Sequence, residues 1–251
     1  MVRVFWSNFK RAFCSSGFII AVIGTIIASL LGGINFIINA YNRGALEYAG
    51  EVSIQSAYTS MYSNVFLLLL PILCTLPYSG SFIEDYHTKL LRYYLPRSGR
   101  QKYLINKTFI IAFSGGSALF LGQVIVLLVC TLLFPPIGIE ADIERFNITY
   151  GVFFSGAFLI LLGGFLWALF GGILATAFKN QYMAYSFPFI IYYVASSFQH
   201  RYFKLYYAFN PQEWIRPGHI EFDSALTYAI AAIIIASLLL YYLMKRNLKD
   251  V

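Results

Sequence analysis

Apolar runs long enough to cross a bilayer recur along the whole of this chain. An α-helix rises about 1.5 Å per residue and the hydrocarbon core of a membrane is about 30 Å thick, so a span needs about 20 apolar residues. Such runs are read at Ser16–Ile38, Met61–Phe82, Phe109–Phe134, Val152–Phe178, Met183–Phe198 and Ala225–Leu243. The fifth is the shortest, holds Pro188 and runs into Gln199-His200-Arg201. Only Lys179-Asn180-Gln181-Tyr182 separates it from the fourth. The expectation is an all-α integral membrane protein, with six transmembrane helices in one domain over residues 1–251. Charged residues make up 12% of the chain, against about 25% in a soluble domain, so a solvated globular surface of this size is excluded. The first run is long enough to span, and no small-x-small cleavage site closes it. It is expected to stay as a membrane helix and not to be cleaved as a signal peptide.

A net charge of +7 would suit a nucleic-acid binder if the charges were clustered for it. They are distributed by topology instead. With an even number of spans, Arg43, Arg145, Arg201, Lys204 and Arg216 fall on one side of the membrane, and the other thirteen Lys and Arg fall with the termini. The acids run the opposite way, with only Glu84, Asp85 and Asp250 on the basic side. The excess of Lys and Arg marks the cytoplasmic side. Both termini are expected there, with the bilayer as partner and no nucleic acid.

No reaction centre is legible. The three cysteines, Cys14, Cys74 and Cys130, fall in separate predicted helices and make neither a disulfide framework nor a metal cluster. His87, His200 and His219 lie in three different loops. There is no His-Glu-x-x-His, no Gly-x-Ser-x-Gly and no phosphate-binding Gly-x-x-x-x-Gly-Lys-Ser/Thr. The chain is expected to be no enzyme, with no catalytic residues, no metal and no cofactor of its own.

Residues 1–15 read as an amphipathic helix lying in the membrane interface. Val2, Phe5, Trp6, Phe9, Ala12 and Phe13 share one face, and Lys10 and Arg11 lie away from it. The alternative is that the first span begins early. Small residues recur every fourth position in Gly24/Ala28/Gly32, in Ser114/Ala118/Gly122 and in Gly164/Ala168/Gly172/Thr176, the pattern of close helix–helix contact within a membrane. Packing within the chain is the first reading of these stripes, and a subunit interface the second. Pro71 and Pro188 sit inside predicted spans, where each is expected to kink its helix. The predicted interior carries no charge, only mild polar groups such as Asn35 and Gln123. That argues against proton-driven transport and charge-ringed channels, and fits a path for something apolar or amphipathic.

The segment after the second run is the most informative. Glu84-Asp85 is followed by Thr88, Leu90-Leu91, Tyr94, Leu95-Pro96, Ser98 and Arg100, with Lys107 entering the third run. Leu90, Leu91, Tyr94 and Leu95 form an apolar stripe, Lys89, Arg92 and Arg97 stay wet, and Pro96 ends the helix. Paired acids beside a basic loop are by default a salt-bridged face. A solvated positive-inside loop is the plain alternative.

This segment resembles the export-type permease family of ABC transporters. That family carries an acidic residue at the end of the second helix, then Gly-Thr, a Leu-rich stretch, Leu-Pro with Ser-Arg shortly after, and a Lys opening the third helix. Here His87 stands where Gly is usual, and one extra residue lies between Pro96 and both Arg100 and Lys107. The resemblance implies a cytoplasmic coupling region over 84–106, with Thr88–Pro96 as a coupling helix seated in a groove of an ATPase. Glu84, Thr88, Leu90, Leu91, Tyr94, Leu95, Pro96 and Arg100 would form the ATPase-coupling site, and Glu84 and Arg100 would fix that helix to the rest of the cytoplasmic face. Trp6, Phe9, Lys10 and Arg11 would belong to the interfacial helix that transmits the motion. It further implies two separate ABC ATPase subunits that bind ATP and Mg, and a second permease copy or paralogue. The pathway would be lined by the helices of Pro71 and Pro188. Residues 199–223, rich in aromatics and bases, would fold as short re-entrant outer helices opened by Asn210-Pro211; an aromatic interfacial belt is the compatible alternative. The function expected is ATP-driven export of an amphipathic or hydrophobic substrate from a bacterial cytoplasmic membrane, with a peptide toxin, bacteriocin or antimicrobial peptide as first choice. Drugs or lipid-linked polymers are the alternative cargo. A non-transporting accessory or sensory membrane protein, or an intramembrane enzyme, are the alternative classes.

Overall fold

A computed structural model describes residues 2–42, 49–91, 99–134, 150–202, 207 and 210–248. Their regular structure is helical throughout: α1 (Val2–Phe13), α2 (Ser16–Asn42), α3 (Ala49–Met61), α4 (Asn64–Thr75), α5 (Ser81–His87), α6 (Arg100–Leu133), α7 (Tyr150–Phe178), α8 (Met183–Tyr202) and α9 (Phe222–Asn247). Among the described residues, α2, α6, α7 and α9 are each long and apolar enough to cross a membrane, and α3 with α4 makes a fifth crossing if the pair is one broken span. The chain is a multi-pass helical membrane protein. α8 has 20 residues but is less apolar than these five, so a sixth crossing does not follow from length and hydropathy.

The central helix is α7, which packs against α3, α4, α5, α6, α8 and α9. Its glycines let neighbours approach. A methyl group on Gly164 would stand 2.6 Å from the Gly116 Cα, so α6 and α7 cross almost backbone to backbone. Gly172 packs against Leu240 of α9. Gly24 of α2 meets Leu73 of α4, and Gly122 of α6 meets Thr25 of α2. All three small-residue stripes are therefore used inside the chain. Burial between helices gains little in lipid, so these close contacts supply dispersion energy that larger side chains would forfeit. The opposite face of α2 presents Ile19, Ile23, Ile27, Leu31, Ile34 and Ile38 outward, as a lipid-facing stripe should.

The second span differs from its sequence reading. Its helix begins at Ala49, twelve residues before the predicted Met61, and ends at Thr75, seven before Phe82. The added part, α3, is polar: Ser53, Ser56 and Ser60 are buried in it. The Ser56 hydroxyl donates to the Val52 carbonyl within the helix, and the small Ser60 side chain lies against Gly33. The sharp bend is also not at Pro71. α3 and α4 meet at 59° across Tyr62-Ser63. Ser63 is extended, and its Oγ caps α4 by accepting from the Phe66 amide at 3.3 Å. Pro71 lies inside α4, buried, without ending it. α1 is a helix separate from α2, divided by a turn at Cys14-Ser15, and Ser15 caps α2 through the Phe18 amide at 3.1 Å.

Candidate coupling site at the α1 end of the bundle

After α4, a run of turns over residues 76–80, with Pro77 in it, leads the chain into α5. Ser79 Oγ fixes this corner by donating to the Ala168 carbonyl of α7 at 3.0 Å. α5 then presents two consecutive acids to different surroundings. Glu84 is half-exposed and Asp85 is 1% exposed. Phe82 and Asp85 stand three apart and both face inward, whereas Glu84 lies about 100° around the helix from Asp85.

Asp85 is the centre of a charged knot. Its Oδ2 accepts from Lys107 Nζ at 2.6 Å and from the Tyr103 hydroxyl at 2.8 Å, and its Oδ1 accepts from Arg11 Nη1 at 2.6 Å. Lys107 is completely buried, donates also to the Tyr78 hydroxyl at 3.1 Å, and lies 4.4 Å from the centre of that ring. The Tyr78 hydroxyl donates to Asn8 Oδ1 at 3.3 Å. Arg11 Nη2 reaches Glu84 Oε2 at 3.0 Å. Two cations and two carboxylates thus close a neutral set that ties α1, α5 and α6 together. Burial alone would raise the Asp85 carboxyl, but Lys107, Tyr103 and Arg11 outweigh it and hold it below the usual carboxylate range. Burial likewise opposes the Arg11 charge, and Asp85 more than offsets it, so the guanidinium binds its proton more tightly than usual.

The segment that leaves the knot is braced at both ends. Thr88 closes α5 by bonding from its amide and Oγ1 to the Glu84 carbonyl, and Lys89 takes a left-handed φ of 58° that stops the helix. His87 Nε2 lies 3.2 Å from the Lys179 carbonyl at the end of α7. On the far side, Arg100 Nη2 donates to the Leu248 carbonyl at the end of α9.

The predicted coupling residues therefore separate. Glu84 pairs with Arg11 and Arg100 bonds to the Leu248 carbonyl, but the buried acid is Asp85. Leu90 is half-buried and Thr88 exposed, while Leu91 is turned into the chain's own core with Phe82 and Ile83, not outward. Tyr94, Leu95 and Pro96 lie outside the described residues. In α1, Trp6 and Lys10 are exposed and Phe9 stacks between Phe5 and Phe13. Arg11, expected in water, turns inward to Asp85, and Asn8 and Ala12 form the buried face. Pro71 and Pro188 are both buried, in the adjoining helices α4 and α8. The reading of an uncharged interior missed Lys107. Its signal was present: Tyr103, Lys107, Ile110, Ile111 and Ser114 make one buried helical stripe.

At the other end of α7, residues 210–216 wedge into the bundle. Asn210 Oδ1 accepts from the Gln212 amide at 3.0 Å, and one turn follows, not the helix expected after Asn210-Pro211. Ile215 is buried against Gly163, in the middle of α7. Arg216 Nη1 donates to the Tyr62 carbonyl at 3.3 Å, satisfying a backbone group freed by the break between α3 and α4. Glu213 accepts from the amides of Gly218 and His219 at 2.9 and 3.0 Å and pairs with His219 Nδ1 at 3.0 Å, while the imidazole stacks on Tyr207.

Fold and site together define a multi-pass helical membrane protein with an ion-paired knot at the end of the bundle that carries α1. Compared with known proteins, the chain matches no protein-family model, no curated protein and no solved structure.

Proposed function

We propose that this chain is the transmembrane subunit of an ATP-driven exporter of the ABC export-permease type, working with two separate ATPase subunits and a second permease copy or paralogue. It sits in a bacterial cytoplasmic membrane with both termini in the cytoplasm, and α8 serves as the fifth of six crossings. The cargo is amphipathic or hydrophobic, with a membrane-active peptide favoured. ATP and Mg belong to the partner subunit.

The observation that carries this reading is the knot around Asp85. A buried ion pair is a poor way to gain stability, since apolar side chains of similar size often do as well or better. Its value lies in direction and register. Here it locks α1 and the root of α6 to α5 immediately before the segment that resembles a coupling helix, and Arg100 braces the return of that segment against α9. A push delivered to residues 88–91 would bear on α5 and the knot with α1, and one delivered at Arg100 on α6 and α9. These 251 residues hold no phosphate-binding loop, which agrees with ATP hydrolysis on separate subunits in this reading.

The test compares adjacent leucines in the chain reconstituted with the ATPase encoded beside it. Leu90→Asp is expected to leave the permease folded and abolish its effect on ATP hydrolysis. Leu91→Asp is expected to damage the fold itself, because that side chain is internal. An ATPase that fails to associate with wild type, or that responds to Leu90→Asp as to wild type, overturns the reading.

A further inference from the structure

α6 and α9 both pack on α7, and between them lies a groove of about 440 Å³, within the range of about 300–1,000 Å³ typical of small-molecule sites. Buried Leu169 of α7 forms its floor, Phe109, Phe113 and Phe165 one wall, and Leu238 and Tyr241 of α9 the other. The Phe109 and Phe113 rings stack at 5.7 Å and Phe165 tilts against Phe113 at 6.0 Å, so the first wall is a continuous aromatic surface. Phe109 and Leu238 are exposed, so the groove opens toward acyl chains. Thr108 and Ser237 also line it, but their hydroxyls donate at 3.0 and 2.8 Å to the Leu104 and Ile234 carbonyls of their own helices. They ask no hydrogen bond of an occupant, which suits a hydrocarbon. From Ile105 to Phe113 the groove follows α6 for about 12 Å, most of the roughly 15 Å depth of one leaflet.

Charge marks one end of it. Arg100 bonds to the Leu248 carbonyl, so the start of α6 and the end of α9 lie side by side. Lys102 and Lys245 stand just inside that bond, and both are exposed. At about 100° per residue, Lys102 falls on the face of Phe109 and Phe113, and Lys245 on the face of Leu238 and Tyr241. Neither lysine is in an ion pair with a described residue, and Glu84 and Asp85, the acids described at this end, are taken by Arg11 and Lys107.

We propose that this groove holds an acyl chain of an anionic phospholipid whose phosphate lies between Lys102 and Lys245. The groove alone would accept a chain from any lipid, and the lysines select the head group. Phosphatidylcholine and phosphatidylethanolamine carry no net charge and gain little from two cations, whereas phosphatidylglycerol carries the complementary charge. A second copy of the chain fits less well, because it would have to bring free acids to the lysine pair, and Glu84 and Asp85 are engaged.

This inference rests on the membrane-spanning bundle and not on the exporter reading. It is tested by native mass spectrometry and thermal unfolding of the full chain in neutral detergent with added phosphatidylglycerol, phosphatidylethanolamine, phosphatidylcholine or soluble glycerol phosphate. At low salt, phosphatidylglycerol is expected to bind about thirtyfold more tightly than the two zwitterionic lipids, a preference that shrinks in high salt. Lys102→Gln and Lys245→Gln are each expected to cost about fivefold in that affinity, and Lys10→Gln, an exposed cation on α1, is expected to cost nothing. Ala112→Leu puts extra methyl groups into the groove and should weaken phosphatidylglycerol and phosphatidylcholine alike, by about tenfold. Glycerol phosphate should not compete, since it lacks the chain. Equal binding of phosphatidylcholine, a loss in Lys10→Gln as large as at the two lysines, unchanged affinity in Ala112→Leu, or competition by glycerol phosphate overturns the proposal. So do lipid-free dimers that dissociate in Ala112→Leu, which would give the groove to a second copy.

Discussion

The two polar knots of this bundle solve different problems. At the α1 end, the carboxylate of Asp85 is buried and answered by two cations and a phenol, all side chains and all from distant parts of the sequence. At the end where residues 210–216 wedge in, Glu213 is answered by two nearby backbone amides and an exposed imidazole, and Arg216 serves a carbonyl instead of an acid. The first knot joins helices and stores its energy in charge pairs that cannot be broken singly without leaving a bare charge in the core. The second shapes a turn and plugs a gap in a broken span. The first is therefore suited to carrying force between elements, and the second to holding one segment in place.

Breaking the first knot should have the largest effect. Lys107→Met leaves Asp85 buried with only part of its compensation, and Asp85→Leu strands Lys107, completely buried, with a single hydroxyl partner. Each is expected to cost about 3–5 kcal/mol. The double variant Asp85→Leu/Lys107→Met is expected to recover much of that loss, because well-packed apolar groups replace a buried pair at little net cost. Unfolding in mild detergent measures all three. A double variant as damaged as the sum of the singles would show that the knot is more than a compensated pair. A double variant that folds well yet no longer affects a partner ATPase would show that it serves transmission and not stability.

Much of this architecture is legible in the chain. Uninterrupted apolar runs placed α2, α6, α7 and α9, because a bilayer demands length and hydropathy that little else imitates. α3 escaped because its buried residues Ser53, Ser56 and Ser60 look like loop residues. They are compatible with the core only because their hydroxyls can bond within their own helix or lie against glycine, which local composition does not reveal. The site was legible in outline and not in detail. Paired acids beside a basic loop announced a salt-bridged face, but choosing Asp85 over Glu84 needs the rotation of α5. That rotation is fixed by contacts with α1 and α6, far away in sequence.

The second knot should yield more modestly. Arg216→Met removes the donor to the Tyr62 carbonyl, and the expected cost is about 1 kcal/mol, since the side chain is exposed and water can partly replace it. The same change should leave the Asp85 cluster untouched, because the two knots share no residue. Hydrogen exchange would show this as faster exchange confined to α4 and residues 210–216. Loss of protection in α5 as well would mean that the two ends are coupled through α4, and the contrast between a force-bearing end and a holding end would fail.

The smallest effect is a dependence on pH, and it distinguishes the knots by their exposure. Burial alone would raise the Glu213 carboxyl, but His219 and the amides of Gly218 and His219 outweigh it and hold it below its ordinary value. A carboxyl depressed by folding stabilises the native turn above its unfolded pKa, and that contribution is lost as pH falls through the folded value. The window therefore lies below the ordinary glutamate value of about 4.3. Asp85 obeys the same sign, but it and Lys107 are sealed from solvent, and proton uptake there requires the bundle end to open. In an acid titration, the Tyr207–His219 stack should loosen first, read from the imidazole and ring resonances, while α5 and α6 keep their exchange protection. Glu213→Gln should abolish the first step without moving the second. If α5 and the Tyr207–His219 stack lose order at one pH, the knots titrate as a unit, and the difference in their exposure does not govern their response to acid.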